Sequence, residues 1–378
     1  MPKEIGKQVA PRQTNIELLR IIIMVMIVGC HFATHGGFQF DSQTITIPRL
    51  WWNVIEMGGH FGVDVFILIT GYFLIDGLGL SIKPQKIIKF WGQIVFYSVA
   101  LFFFAFVIGK GDPSIKNIVK SILPITFSQW WFASSYFILY LIHPFINRLL
   151  HSFSKKEYQI FLLTLLFLWC IIPTFTTSPF KSNSLIEFVM YYSIAGYIKI
   201  YGIHQKIESK NWFLLWLLFS TITYLTCVAF MMLGTKYQFF YQHTIYFYSR
   251  NSILTIARAI TFFMMFQTMK IKYSSFINKI SAATFGVYLL HDSKLLRIYF
   301  WKDVFKNANY QDSIMLIPYS IAVVILVYVI CTVIDLVRQK VFEKPFVQLV
   351  NMCHDSFSKK FEKIIGAYKV IVFGNDKG

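Results

Sequence analysis

Two ionisable side chains stand in the first hydrophobic segment of the chain, "LLRIIIMVMIVGCH". Arg20 and His31 are eleven residues apart, which on an α-helix is three turns plus about 20°. Both side chains therefore project from one face, about 16 Å apart along the axis. A guanidinium binds phosphates, and an imidazole acts as a general base near neutral pH. His35 lies one turn beyond His31, near the predicted helix end, and we interpret it as an interfacial side chain.

A second hydrophobic segment carries a polar stripe. Glu56, His60 and Asp64 follow one another at intervals of four in "IEMGGHFGVDVF", so they share one helix face. The neighbouring glycines predict a close approach of another helix: Gly58, Gly59 and Gly62. Ionisable groups cost about 2.5–3.5 kcal/mol inside a membrane span. Because the stripe lies at the predicted depth of His31, the sequence predicts a polar cavity between the two helices.

Three later segments add polar or aromatic groups at similar positions. Arg258 lies in the eighth segment, His291 in "GVYLLHDS" of the ninth, and Trp130 and Trp131 open the fourth at its predicted outer interface. Structural alternatives remain open for several residues. Arg20 is equally well explained as an anchor at the inner interface, and Asp64 or Glu56 as a partner of Arg258 or of a histidine. His143, which precedes Pro144, is more typical of a structural histidine.

Neither metal binding nor nucleophilic cysteine chemistry is expected. His31 and His60 with the two carboxylates are conceivable metal ligands, but no loop supplies further ligands, so we predict no metal. The cysteines are scattered without a C-x-x-C pair, which argues against disulfides and zinc: Cys30, Cys170, Cys227, Cys331 and Cys353. Cys30 points about 100° away from His31 on a helix.

The elements that must position these groups are membrane helices. Of the 378 residues 56% are hydrophobic and only 14% charged, against about a quarter in soluble domains. The apolar residues form blocks of roughly 17–25, the length that crosses a bilayer. We predict an all-α polytopic membrane protein with about ten spans, at 16–35, 51–76, 86–108, 130–150, 158–177, 185–203, 211–233, 252–269, 276–298 and 314–336.

The distribution of the net charge of +18 supports this organisation. Basic residues fall in small groups between the spans, which is typical of the positive-inside rule and argues against nucleic-acid binding. Lysine and arginine are more frequent on one side, which predicts cytoplasmic termini and a multi-pass protein of the cell membrane. We divide the chain into a cytoplasmic segment 1–15, a membrane domain 16–336 and a basic cytoplasmic tail 337–378. The tail has the apolar spacing of an amphipathic helix on the inner leaflet.

Four stretches together resemble the integral-membrane acyltransferase-3 family. They are "NIELLRIIIMVMIVGCH" with its Arg-x10-His spacing, "FGVDVFILITGYFL", "WWFASSYFILYLIHPFIN" and "ISAATFGVYLLHDS". The resemblance implies transfer of an acyl group, usually acetyl from acetyl-CoA, to a hydroxyl of an extracytoplasmic or lipid-linked glycan. It also implies that the matching positions Arg20 and His31 are needed for activity.

With this resemblance, the polar residues receive expected roles. His31 is the expected base, with Asp64, Glu56 and His60 as further catalytic candidates. Arg20 and Arg258 are the expected donor-binding residues, and Trp130, Trp131 and His291 the expected acceptor-binding residues. The expected partners are the lipid bilayer, acyl-CoA and a glycan acceptor.

Other membrane functions remain as alternatives. Intramembrane histidines and carboxylates also form proton relays, so a proton-coupled transporter or flippase is the main rival. Many transporters contain inverted repeats, and this sequence has no internal repeat. A glycan polymerase or ligase is expected to have a large outer loop, whereas the longest predicted outer connections have only about twenty residues. Nothing in the sequence favours a non-catalytic sensor component.

Overall fold

The computed structural model describes residues 12–41, 43–79, 84–176, 178, 180–202, 207–343, 345–348, 350 and 352. This part of the chain is helical and contains no strand. Its helices are α1 (Thr14–His35), α2 (Ile47–Leu74), α3 (Pro84–Val107), α4 (Ile115–Ile122), α5 (Trp131–Ser152), α6 (Lys155–Leu166), α7 (Ile172–Thr176), α8 (Ser184–Tyr201), α9 (Ser209–Gly234), α10 (Gln238–Gln242), α11 (Ile253–Thr268), α12 (Ser275–Ser281), α13 (Thr284–His291) and α14 (Leu316–Arg338).

Six of the described helical stretches are long and apolar enough to cross a membrane. They are α1, α2, α3, the stretch Lys155–Thr176 that joins α6 to α7 through a π-helical turn, α9, and the stretch Leu316–Gln348 that begins with α14. The predicted all-α membrane class is thus confirmed in its coarse form. Helices α5, α8 and α11 also coincide with predicted spans, and the count of about ten stays a prediction.

The predicted ninth span is wrong as a single continuous helix. Residues 276–298 break at Ala282 and Ala283, between α12 and α13, and α13 ends at His291. A second irregularity follows in the π-helical turn Tyr299–Val304. Helix interruptions of this kind are common at functional sites, because they turn side chains and backbone groups towards a cavity.

Helices α1 and α2 pack closely, as their glycines predict. A Cβ on Gly59 would lie 2.1 Å from the Cβ of Cys30, and one on Gly62 would lie 3.1 Å from Ile27. The two backbones can approach this far only because both positions lack a side chain. This contact holds the faces of α1 and α2 in a fixed rotation about their axes.

Polar contacts fix the first turn of α1 against α12. The hydroxyl of Thr14 donates to Oδ1 of Asn278 at 3.3 Å, and the hydroxyl of Ser281 donates to Glu17 at 2.5 Å. The side-chain amide of Asn15 donates to the carbonyl of Phe266 at 2.9 Å. These side chains satisfy groups that would be costly to bury alone. They also set the position of Arg20, one turn further along α1.

Two predicted terminal segments extend beyond the described residues. Most of the predicted cytoplasmic segment 1–15 and residues 353–378 of the predicted amphipathic tail lie outside them. The described start of the tail continues α14 as a π-helical turn, Gln339–Glu343. The orientation of the helices across the membrane stays a prediction, as does the placement of the termini in the cytoplasm.

Candidate active site

A cavity of about 340 Å³ lies between α1, α2, α3, α5 and α13. Arg20 and His31 both line it, Arg20 at one end and His31 at the other. Its middle is largely apolar, with Val63, Phe66 and Ile69 of α2 and Phe132 of α5 in its wall. Ligand-binding cavities commonly have this size, an apolar lining and a few convergent polar groups. The face shared by Arg20 and His31 is therefore directed at a cavity.

The end of the cavity at Arg20 is basic. Lys86 and Lys89 of α3 line the same region, and Gln93 follows one turn later. The three residues are spaced i, i+3 and i+7, so they share one face of α3. Arg20 Nη1 lies 3.8 Å from Glu17, while its Nε is buried with no hydrogen-bond partner among the described residues. We call Arg20, Lys86 and Lys89 the basic end of the cavity.

At the other end, His31 forms a hydrogen bond with a second histidine. His31 Nδ1 lies 2.9 Å from His291 Nε2, and His291 Nδ1 lies 2.6 Å from the carbonyl oxygen of Val287. A carbonyl can only accept, so His291 carries its proton on Nδ1. The Nε2 of a neutral His291 is then an acceptor, and Nδ1 of His31 must donate to it. This chain leaves the lone pair of a neutral His31 on Nε2.

Asp292 provides the negative charge beside the two histidines. Its Oδ1 lies 3.8 Å from His31 Nδ1, 3.8 Å from His35 Nε2 and 3.1 Å from Nη1 of Arg297. The side chain of Asp292 is only 4% exposed, so the carboxylate is held in place by these neighbours. His35 is thus part of this cluster as well as being close to the helix end.

His31, His35 and Asp292 also form a group whose ligand atoms lie within 4.8 Å of one another. Two histidines and a carboxylate are a set that transition metals accept. In this structure two of the three residues already have hydrogen-bond partners, because Arg297 donates to Asp292 and His291 bonds Nδ1 of His31, while His35 Nε2 lies 3.8 Å from Asp292. We therefore describe the cluster as a hydrogen-bonded network.

Comparison with known proteins gives one match over most of the chain. The model of an acyltransferase domain, that of the acyltransferase-3 family, matches residues 13–336. The chain belongs to the acyltransferase-3 family. No curated protein and no solved structure matches it significantly. The residues that line the cavity all fall within the matched region of this membrane acyltransferase.

Glu56, His60 and Asp64 do not line the cavity of this acyltransferase together with His31, which corrects the prediction of one shared polar cavity. Tyr248 donates to Glu56 Oε2 at 2.5 Å, and the ring of His60 packs edge-on against Tyr248 at 5.5 Å. Asp64 is fully buried, with the hydroxyl of Tyr191 as its neighbour. The membrane depth predicted for a residue does not determine how its helix is rotated about its axis. Helix α2 turns Val63, Phe66 and Thr70 towards the cavity instead. The catalytic assignment of the stripe stays a prediction.

Arg258 is also remote from the cavity lining. Its guanidinium stacks 4.5 Å from the centre of the Phe61 ring, and its Nη2 lies 3.4 Å from the carbonyl of Met57. Nε of Arg258 donates to Ser220 at 3.3 Å. No ion pair between Arg258 and a carboxylate occurs in the described part of the chain, so the structural alternative in which Arg258 pairs with Asp64 or Glu56 is not observed. Donor binding by Arg258 stays a prediction without a cavity contact to support it.

The two tryptophans differ in their surroundings. Trp131 lines the cavity, and the guanidinium of Arg250 lies 4.4 Å from the centre of its ring. Trp130 is 4% exposed and packs in the core. Of the predicted acceptor-binding residues, Trp131 therefore borders the cavity directly, whereas His291 contacts His31 from behind. Their roles in acceptor binding remain predictions.

Several residues of the site were not predicted from the sequence. Lys86 and Lys89 stand near the start of a predicted span, where lysines are ordinary, and only their i, i+3 spacing hinted at a shared face. Asp292 follows His291 directly in "LLHDS", yet sequence adjacency does not show which side chains meet. Tyr288 lines the cavity, and its buried hydroxyl lies near the backbone of Phe132. Because tyrosine is frequent in this chain, nothing in the sequence distinguishes Tyr288 from the others.

Proposed function

We propose that this membrane acyltransferase moves an acyl group, in the simplest case acetyl, from acyl-CoA to a hydroxyl of a glycan. The observation that supports the proposal most directly is that Arg20 and His31 line opposite ends of the same cavity. Acyl-CoA is a cytoplasmic polyanion, and an extracytoplasmic or lipid-linked glycan reaches the membrane from the opposite side. A cavity with a basic end and a histidine end suits both substrates.

The basic end suits the phosphates of coenzyme A. Arg20, Lys86 and Lys89 offer three cations at one entrance, and charge-assisted hydrogen bonds to phosphate are among the strongest in proteins. The buried, unpaired Nε of Arg20 has donor capacity left for a ligand. The predicted orientation places this entrance on the cytoplasmic side. The pantetheine arm then extends through the apolar middle towards His31, along the roughly 16 Å that separate the two residues on α1.

The histidine end suits general base catalysis. With Nδ1 of His31 donating to His291, Nε2 is free to accept the proton of the acceptor hydroxyl. The hydroxyl oxygen then attacks the thioester carbonyl carbon and forms a tetrahedral intermediate. Its collapse breaks the carbon–sulfur bond, and the protonated His31 returns the proton to the departing CoA thiolate. One ester forms, one thioester breaks and no net proton is released.

Two neighbours support this step. Asp292 faces His31 at 3.8 Å, so it favours the positive charge that develops on the ring when Nε2 takes a proton. Tyr288 lines the same cavity, and the proton of its hydroxyl makes it a suitable donor to the oxyanion of the intermediate. No covalent enzyme intermediate is needed, and Cys30 is buried against Gly59.

Membranes that contain the protein test the proposal directly. Radiolabelled acetyl-CoA is added to them, and label is expected in the glycan fraction. His31→Ala is expected to abolish this incorporation, while His243→Ala, which removes a half-buried histidine outside the cavity, leaves it intact. Normal incorporation by an inserted His31→Ala protein contradicts the base assignment. Substrate uptake without acyl transfer points to the transporter alternative.

A further inference from the structure

Lys89 has a protein carboxylate as its partner at the basic end of the cavity. Its Nζ lies 2.5 Å from Oε1 of Glu343, in the π-helical turn that follows α14. The side chain of Lys89 is 53% exposed, whereas that of Glu343 is 17% exposed. Lys86, one turn earlier on the same face, has no carboxylate within 4.0 Å in the described part of the chain. Within the described part of the chain, Lys89 is therefore ion-paired with a carboxylate, and Lys86 is not.

Glu343 has Arg338 as a second partner. Nη2 of Arg338 donates to its Oε2 at 2.9 Å, so the two carboxylate oxygens bind different cations. Arg338 is anchored in turn, because its Nε donates to Oδ1 of Asp335 at 2.7 Å. If Lys89 leaves, Glu343 keeps Arg338 as a counter-ion. The carboxylate can thus release Lys89 without becoming an uncompensated charge.

The anchor beneath this pair is rigid. Asp335 is fully buried, and the hydroxyl of Tyr97 and the amide of Gln339 each donate to it at 2.7 Å. Gly286 of α13 leaves the space, since a Cβ there would lie 2.1 Å from the Asp335 carboxyl group. Movement at the entrance is therefore expected in the exposed Lys89 side chain, with Glu343 and Arg338 staying in place.

We propose that Glu343 is an internal competitor of the donor's phosphates at Lys89. It neutralises Lys89 while the cavity is empty, and a phosphate of the incoming donor displaces it. The inference rests on the proposed function, because it takes coenzyme A as the anion. A phosphate brings more negative charge than a carboxylate, so it displaces Glu343 at the cost of one ion pair. Glu343 thereby lowers the affinity for phosphate-bearing donors without touching the thioester.

This arrangement makes the effect of Glu343 depend on the ligand. A donor that carries phosphates must break the contact between Lys89 and Glu343. Acetyl-pantetheine, which has the thioester and the arm but lacks the nucleotide and its phosphates, has no reason to break it. A purely structural role of Glu343, in contrast, alters the binding of both compounds alike.

Titration calorimetry with coenzyme A and the purified full-length protein tests the inference. Glu343→Gln is expected to tighten binding about 2- to 5-fold, the range for a partly exposed ion pair. Glu343→Asp keeps the charge with a shorter side chain and is expected to give a smaller gain. Asp303→Asn, which removes the exposed partner of Lys110, is the matched control with no change. The KM for acetyl-pantetheine is expected to be equal in all four proteins.

A double variant separates competition from other effects. With Lys89→Ala present, Glu343→Gln is expected to give no further tightening, because the contested cation is gone. Weaker or unchanged coenzyme A binding in Glu343→Gln overturns the inference, as does an equal change for acetyl-pantetheine. If Glu343→Gln fails to fold, Glu343→Asp decides, and unchanged binding there overturns the inference too. A wild-type protein that binds no coenzyme A contradicts the proposed function instead.

Discussion

Nδ1 of His31 and Nε2 of His291 lie 2.9 Å apart, although the two residues are separated by 260 positions in the chain. The contact joins the C-terminal part of α1 to the last turn of α13. Because His291 is committed to the Val287 carbonyl through Nδ1, the direction of the bond follows, and with it the tautomer of His31. His291 thus sets the tautomer and the orientation of His31, the proposed base.

Replacing His291 is therefore expected to reduce turnover without weakening donor binding. In His291→Leu the acceptor for His31 Nδ1 is lost, so the ring samples the wrong tautomer and orientation. We expect kcat to fall about 10- to 100-fold, comparable to the effect of losing an orienting partner, and KM for acetyl-CoA to stay constant. Initial rates at varied acetyl-CoA measure both quantities.

The conservative variant separates positioning from packing. His291→Gln offers a carbonyl oxygen that can accept from Nδ1 of His31, so it is expected to keep more activity than His291→Leu. Equal loss in both variants, or a parallel rise in KM, assigns His291 to packing or substrate binding instead. Levels of inserted protein must be matched for the comparison.

The basic end predicts a different kinetic pattern. Arg20→Ala and Lys86→Ala each remove one cation at the proposed phosphate entrance, with the chemistry about 16 Å away. We expect KM for acetyl-CoA to rise about 10-fold or more per cation, consistent with charge-assisted contacts, and kcat to change little. Acetyl-pantetheine is the internal control, because its KM is expected to be unaffected. A fall in kcat at unchanged KM contradicts phosphate binding at this end.

The sequence predicts the positions of the helices well and their rotations poorly. Blocks of apolar residues fix α1 to within two residues of its predicted start, and the glycines of α2 correctly indicate close packing. The relation of Arg20 and His31 also follows from one helix alone. The relative positions of side chains on one straight helix can thus be predicted from the helical period.

Contacts between different helices cannot be predicted from the helical period. The stripe of Glu56, His60 and Asp64 lies on a face of α2 that does not line the cavity, because packing against α8 and α11 decides which face is turned towards it. The break in the ninth span at Ala282 and Ala283, between α12 and α13, has no proline to reveal it. Asp292 and Lys89 gain their partners from segments distant in sequence.

Tyr288 gives a prediction that concerns the intermediate. This residue lines the cavity on the same helix as His291, and the proton of its buried hydroxyl is available to a ligand oxygen. Tyr288→Phe removes one oxygen and keeps the ring, so the fold is expected to be unchanged. Removal of a donor to an oxyanion costs up to about 100- to 1000-fold in kcat. We expect a loss of at least about 10-fold; unchanged kcat in rapid-quench assays rules Tyr288 out as this donor.

The contact of α1 with α2 predicts a contrast between neighbouring glycines. Alanine at Gly59 places its Cβ 2.1 Å from the Cβ of Cys30, which cannot rotate away, so α1 must shift and His31 with it. Alanine at Gly58 meets only the terminal methyl of Met26 at 3.3 Å, and this flexible side chain can yield. Overpacking of this kind costs about 1–3 kcal/mol. Gly59→Ala is therefore expected to lower the unfolding temperature in detergent and to reduce kcat, whereas Gly58→Ala stays near wild type. Equal behaviour of the two variants contradicts this packing of α1 against α2.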